Sequence, residues 1–508
     1  MNAMRTLHQI LLQPTDVLFF RDGRPMTGSL AGHTAAWPLP DVTNHALHAA
    51  LHRAGLSGVH THRRGRSGRY TDQRDRKFGC LLTAGPFPVA AAADPGCPLP
   101  EPCWFFPRPR DTLEPGNVAL CLHPVPGDWR QASSLPNPLR YAVANSRPPA
   151  KESGAEPWIS QRAFERYLRD PAGQPESSNQ SYPPEFLKDD DLADLEQTIG
   201  IRIDPESLTT GHGDAEGQIY SAYYLRLRDR FRLGLFAEAM DKVDGDPARR
   251  CDLIRLLFND EPRSILVGGQ QRLCTAQRAD APEPLPLPQG LRNGSEFKQL
   301  PNGAYAVKWV LLTPAIWPEI RSGETRDPAR SRIQAHPGGW LPNWVHPETG
   351  DVLLKAGDTD RKPGETRVAW RARVRALPPV KARLVAAIVP KPLAVTGWSL
   401  GWPEDAVEGT ETPDGNAGTG GAKSTHLAVP AGAVYYFEAD SPGDAARLAA
   451  ALNWHGSTPG HVIVNRRSTL LGEKGYGLGV CGTWQFYDGS DPSAGSVSTD
   501  RSKETQTH

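Results

Sequence analysis

Apolar and polar positions along the chain repeat one order of elements twice. Short apolar runs at His8–Leu12 and Val17–Phe20 predict strands, and Asp41–Arg53 predicts a helix, with Asp41 as cap and Ala, Leu and His filling its turns. A polar, Pro-rich interval then runs to about residue 195. Beyond it, β-branched, aromatic and Leu residues alternate with Arg over Ile199–Ile203 and Ile219–Phe236, as in strands. Pro247–Phe258 reads as a helix, and Ile265–Leu273 as a strand with Gly268–Gly269 at its centre. This is a β-α-β-β-α-β order, the ferredoxin-like or RRM-like motif.

A second round follows the Pro-rich stretch 281–290. Tyr305–Thr313, Leu384–Pro390, Val434–Glu438 and Val462–Leu471 predict strands, and Asp444–Leu452 a helix started by Ser441–Pro442. Its first helix is the least marked element, because 314–370 is rich in Pro, Gly and Trp. The expected fold is α+β, with two ferredoxin-like (RRM-like) βαββαβ domains carrying long loop insertions. Residues 1–280 form the first, with an insertion at about 55–195. Residues 281–300 link it to the second, 301–490, which carries a Gly-rich loop, and 491–508 form a disordered tail. The stretches 146–190, 404–424 and 490–508 read as flexible surface.

Bulk numbers narrow the class. At 508 residues the chain is too long for one hydrophobic core. Lys+Arg and Asp+Glu are both 57, which excludes a uniformly basic protein but not a local basic groove. Pro and Gly at 49 each favour loops and short strands over a helical bundle. Seven Cys without paired spacing do not form a disulfide framework. The first residues do not read as a signal peptide, and no apolar stretch reaches about 20 residues. A cytoplasmic protein is expected.

Candidate chemistry lies in a few segments. DVLFFRDGRPM (16–26) ends an apolar run in a tight turn, where Arg21 and Arg24 present forks suited to phosphate beside Asp22 and Gly23. A β-turn with a structural Arg–Asp pair fits equally. VGGQQR (267–272) places Gly268, Gly269, Gln270 and Arg272 where phosphate or a base edge could be received, or where a β-bulge sits. LGEKGYGLGVCGTW (471–484) offers close backbone approach at Gly475 and Gly477, charge at Lys474 and a stacking face at Tyr476; a plain turn is the other reading. Its GxGxxG match lacks a following helix and is no dinucleotide site. The basic run 60–77, with Arg63, Arg64, Arg66 and Arg69, suits an RNA backbone, a partner subunit or plain solvent.

His45, His48 and His52 share one helix face, but no carboxylate or Cys stands at matching spacing, so no metal is expected. GTGGAKS (418–424) has Ala422 where a P-loop needs Gly, and no HExxH, GxSxG or CxxC pattern occurs. Neither cofactor nor catalytic residue is indicated.

DVLFFRDGRPM resembles the opening signature of the third-subunit family of Cmr complexes, RAMP proteins of type III-B CRISPR systems. IGIRID (199–204), GQIYSAYYLRLR (217–228), VGGQQR, LLTPA (311–315), VTGWSL (395–400), VPAGAVYYFE (429–438) and LGEKGYGLG (471–479) match that family in the same order. The resemblance implies two RRM-like domains at the foot of the complex. It implies a grip on the repeat-derived 5′ tag of the guide RNA (crRNA), contact with the large polymerase-like subunit and the backbone RAMP subunits, and no catalysis. It carries RNA contact onto Arg21, Asp22, Gly23 and Arg24, onto Gly268, Gly269 and Arg272, and onto Lys474, Gly475, Tyr476 and Gly477. Two features depart from the family: 55–110 is longer and more basic, and Gln270 stands where an acid is usual. Other RAMP proteins cleave repeats with a histidine, so the His45/His48/His52 face supports an alternative, a metal-independent endoribonuclease that processes guide RNA.

Overall fold

A computed structural model describes residues 7–20, 30–32, 37–56, 80–90, 102–113, 121–145, 155–170, 184–201, 203–204, 206–210, 219–243, 246–321, 335–357, 362, 364–399, 421–422 and 424–488. In the first half, β1 (His8–Pro14) leads to α1 (Pro40–Arg53). Then come β2 (Leu81–Ala90), β3 (Cys103–Pro107), β4 (Trp158–Ser160), α2 (Gln161–Arg169) and β5 (Phe186–Leu187). A hairpin of β6 (Ala193–Ile201) and β7 (Ile219–Leu227) precedes the long β8 (Phe231–Val243). After α3 (Leu253–Phe258), the hairpin of β9 (Arg263–Leu266) and β10 (Leu273–Asp280) closes the sheet. Its order is β9-β10-β1-β8-β2-β3-β4-β5, with the strand Asp246–Asp252 paired to β8.

The second half has β11 (Tyr305–Leu311), α4 (Arg367–Ala376), β12 (Ala382–Ile388), β13 (Val434–Ala439), α5 (Pro442–Leu452) and β14 (Gly479–Gly482). Its antiparallel sheet runs β12-β13-β11-β14. The same order appears at the centre of the first sheet as β2-β8-β1-β10. In both, the first strand lies between the third and the last.

Alternation along β1 explains the packing. Ile10 and Leu12 point to a core made with Leu47 and Leu51 of α1 and Ile254 and Phe258 of α3. The opposite face, with Ala84, Phe87 and Phe236, shares a second core with Val310, Tyr436 and Trp484 of the second half. Leu285 and Leu287, from the Pro-rich stretch between the halves, are fully buried in it. A third core lies under α5, where Leu448 and Leu452 meet Trp309 and Phe437.

Several elements differ from expectation. The second strand of the first sheet is Leu81–Ala90, inside the expected insertion, whereas Val17–Phe20 makes only an isolated bridge from Leu18 to Leu225. Two prolines hide that strand, yet Gly85 and Pro86 fall where the register with β8 shifts, the place where a strand tolerates them. Ile219–Phe236 is two strands, turned at Arg228, whose carbonyl accepts the Phe231 N–H at 2.8 Å. The helix expected from Pro247 begins only at Leu253, because Asp252 caps it and the preceding residues pair with β8. Ile265–Leu273 is the turn of the β9–β10 hairpin with its flanks. Val462–Leu471 is irregular, and the closing strand is Gly479–Gly482. There a Cβ on Gly479 would stand 2.3 Å from Trp309 Nε1, so close packing overrides strand propensity. Within the expected flexible stretch 146–190, β4 and α2 are ordered, and Phe164 and Leu168 are in the core. The segments 401–420 and 489–508 lie outside the described residues.

The C-terminal end of α5 is tied to the Pro-rich stretch through His455, which is fully buried. Its Nδ1–H donates to Thr458 O (2.9 Å) and its Nε2 accepts the Gly290 N–H (3.1 Å), a set of partners that requires the neutral ring. Burial pushes its pKa down from 6.5 to about 4. The unfolded chain therefore takes up the proton first, and stability falls as pH drops from 6.5 to about 4. This group should contribute a loss on the order of 3 kcal/mol over that window, read as a falling urea midpoint. His455→Gln should flatten the dependence.

Candidate nucleic-acid interface

The structure brings two of the sequence signatures together at one corner of the first sheet. Leu18 exchanges both backbone hydrogen bonds with Leu225 of β7, each 2.8 Å. The Gly269 N–H donates to Phe19 O at 2.9 Å. A Cβ on Gly268 would stand 2.5 Å from that same oxygen, and one on Gly269 would stand 2.8 Å from the Phe19 ring. The Gly-Gly pair is thus required for close packing of the hairpin turn on Phe19–Phe20. It leaves no room there for a ligand.

Beyond the pair, Gln270 and Gln271 are exposed and Arg272 is partly buried. Gln270 and Gln271 take left-handed backbone with φ 54° and 53°. Tyr224 Oη donates to Gln270 Oε1 (2.6 Å), and the Arg272 guanidinium lies 4.8 Å over the Tyr224 ring. One Arg272 nitrogen stands 3.7 Å from Asp16 Oδ2, while its Nε is buried without a hydrogen-bond partner. Arg226 bridges Asp16 (2.9 Å) and Glu196. Its hydrogen bonds hold both carboxyls below their usual range. Gln270 fixes the Tyr224 hydroxyl. Arg21, Asp22, Gly23 and Arg24, which continue the chain from Phe20, and Arg63, Arg64, Arg66 and Arg69 lie outside the described residues.

The Gly-rich segment is placed differently from expectation. Tyr476 is fully buried, and its hydroxyl donates to Asp41 Oδ1 of α1 at 2.7 Å. Lys474 is 3% exposed, with Nζ 3.1 Å from His45 Nε2. Gly475 (φ 102°) is backed against Thr83 and Ala84 of β2, and Gly477 (φ 78°) lies against the Ser468 backbone. The stacking face and phosphate charge read from the sequence are turned inward, because the turn is needed to brace α1 against β2. His48 and His52 face each other with Nε2 atoms 3.0 Å apart. Among the described residues no group of three or more His, Cys, Asp or Glu could hold a metal.

One polar cluster escaped the sequence reading. Asp111, 1% exposed, accepts the Tyr167 hydroxyl (2.7 Å) and the Tyr436 hydroxyl (3.1 Å). Lys308 Nζ lies 3.9 Å from the carboxylate and 3.5 Å over the Tyr167 ring. A lysine inside the apolar strand AVKWVL was the available signal, since such a residue needs a buried partner.

These features describe an α+β protein whose two largest sheets share a core, with the β6–β7 hairpin in a separate three-stranded sheet and an arginine-bearing corner formed by two of its signature segments. A family model described as CRISPR-associated protein (Cas_Cmr3) matches residues 10–484, and the chain belongs to that family. It is therefore a type III CRISPR effector component, as the ordered motifs implied. No curated protein matches the chain. Among solved structures, a chain of the Type III-B Cmr-beta complex bound to cognate target RNA and AMPPnP is 13% identical, with 84% of this chain and 86% of that chain covered and a TM-score of 0.31. A chain of the Csm3-Csm4 subcomplex of a type III-A interference complex is 9% identical, with 84% and 92% covered and a TM-score of 0.26. Among the described residues no helix is long and apolar enough to cross a membrane.

Proposed function

We propose that this chain is the non-catalytic guide-RNA-binding subunit of a type III-B Cmr effector, and that it holds the 5′ repeat-derived tag of the crRNA at the corner where residues 16–20 meet 267–272. The observation that carries the reading is Arg272: its partly exposed guanidinium lies over Tyr224, next to the Val17–Phe20 segment that precedes Arg21–Arg24 in the chain. Arginine can pair phosphate oxygens with its planar fork. We read each sheet as one ferredoxin-like domain, 1–280 and 301–490, on the shared strand order. The Gly-rich loop acts indirectly, by seating α1 under the corner.

Docking on the large polymerase-like subunit and the backbone RAMP subunits falls, in this reading, to the β6–β7 hairpin. β6 is a sheet edge, and Leu195, Ile199 and Ile201 are exposed at 62, 71 and 53% on one of its faces. Exposed apolar strand edges are pairing surfaces.

Arg272→Ala should weaken binding of a 5′-tagged guide RNA to the full chain by roughly tenfold or more, measured by fluorescence anisotropy, since one stacked or charge-assisted contact is worth about 1–3 kcal/mol. Unchanged affinity would remove the corner from the RNA path.

A further inference from the structure

Helix α4 carries a concentration of charge and buries none of its residues. Residues 361–383 include eight Lys or Arg and one acid, Glu365, in a chain whose formal net charge is zero. Arg367, Arg371 and Arg375 stand four residues apart, so they line one face at about 6 Å intervals along the axis. All three are exposed. Arg373 differs: its guanidinium is held by Glu365, with Nε to Oε1 at 2.9 Å. Trp370 and Val374 are half-buried on the inner side. The helix is fixed at both ends. Thr366 Oγ1 accepts the Ala369 N–H at 3.1 Å, and Lys355 Nζ donates to Leu377 O at 3.0 Å.

Fold stability gives no reason for the outer row. Like charges at i and i+4 repel, and none of the three meets a carboxylate among the described residues. The ligand that suits the row is a linear polyanion, because the cations are evenly spaced along a straight line. All three are arginines, whose forks match phosphate oxygens.

We propose that the outer face of α4 is a second nucleic-acid-binding face, which takes the phosphates of a single RNA strand on Arg367, Arg371 and Arg375 without reading its sequence. The inference does not rest on the tag-holding corner, which lies on the other sheet.

The test uses the full chain and a labelled oligouridylate, which carries no tag. Binding is titrated over a range of salt for wild type and for Arg367→Gln/Arg371→Gln/Arg375→Gln. Loss of three phosphate contacts should reduce the slope of log affinity against log salt by about 2 and weaken binding at low salt at least tenfold. The Arg→Lys triple variant keeps its charges and should keep the slope, which separates lost charge from lost helix. Slope and affinity unchanged in the Gln variant would overturn the proposal. So would displacement of the RNA by polyglutamate at equal charge concentration, which would mark the face as a dock for acidic protein. Arg272→Ala, assayed on tagged RNA, tests the corner separately, so either site can fail without the other.

Discussion

Asp111→Ala is expected to lose about 3–5 kcal/mol of folding stability in chemical denaturation, because it leaves a buried ammonium without its counter-charge. Asp111 follows β3, Tyr167 lies on α2, Lys308 on β11 and Tyr436 on β13, so one carboxylate gathers groups from both halves of the molecule. Burial pulls the Lys308 pKa down and Asp111 opposes that fall. In the variant the opposition is gone and the folded-state pKa drops further below 10.5. The unfolded chain then binds the extra proton between the two values, so the variant should gain stability as pH rises through that range. Replacing both partners, as Asp111→Asn/Lys308→Met, should recover much of the loss. A single Asp111→Ala as stable as wild type would show that the pair is not what joins the halves.

Gly477→Ala is expected to be the most damaging change in the Gly-rich segment, by about 2 kcal/mol or more. The added Cβ would lie 2.1 Å from the Ser468 backbone nitrogen, at a φ of 78° that alanine rarely adopts. Backbone must move, and Ser468 is held in place by its own hydroxyl, which accepts the Ile316 N–H at 2.8 Å. The loop would lift from α1 and take with it the Tyr476–Asp41 hydrogen bond. The same variant separates two roles of the segment. If its glycines brace α1, thermal stability falls while tagged-RNA affinity per folded molecule stays near wild type. If they clamp RNA, affinity falls at unchanged stability, and the bracing role fails.

Much of the fold was legible because it depends on periodicity. β1, α1, β11, β12, β13 and α5 announce themselves as apolar runs with fitting ends. What stayed hidden depends on tertiary placement. Leu81–Ala90 contains two prolines, one of which, Pro86, sits where the register with the neighbouring strand shifts. Gly479–Gly482 is a strand because Trp309 and Leu168 leave room for nothing larger.

The site shows the same division. The motifs themselves were visible, but not which way they face. Glycines at 268 and 269 and at 475 and 477 look alike in sequence. The first pair leaves Gln270 exposed and Arg272 partly exposed, whereas the second pair seats Lys474 and Tyr476 in the interior. Lys308 and Asp111 lie almost two hundred residues apart in sequence, so no local pattern joins them.

The central claim is tested most directly by footprinting a 5′-labelled guide RNA in the reconstituted complex, comparing wild type with Arg21→Ala/Arg24→Ala/Arg272→Ala and with Tyr476→Phe. The account predicts that the arginine variant exposes the 5′ tag while the rest of the guide stays covered, and that Tyr476→Phe leaves the tag protected. A tag fully protected in the arginine variant, or exposed only in Tyr476→Phe, would contradict it.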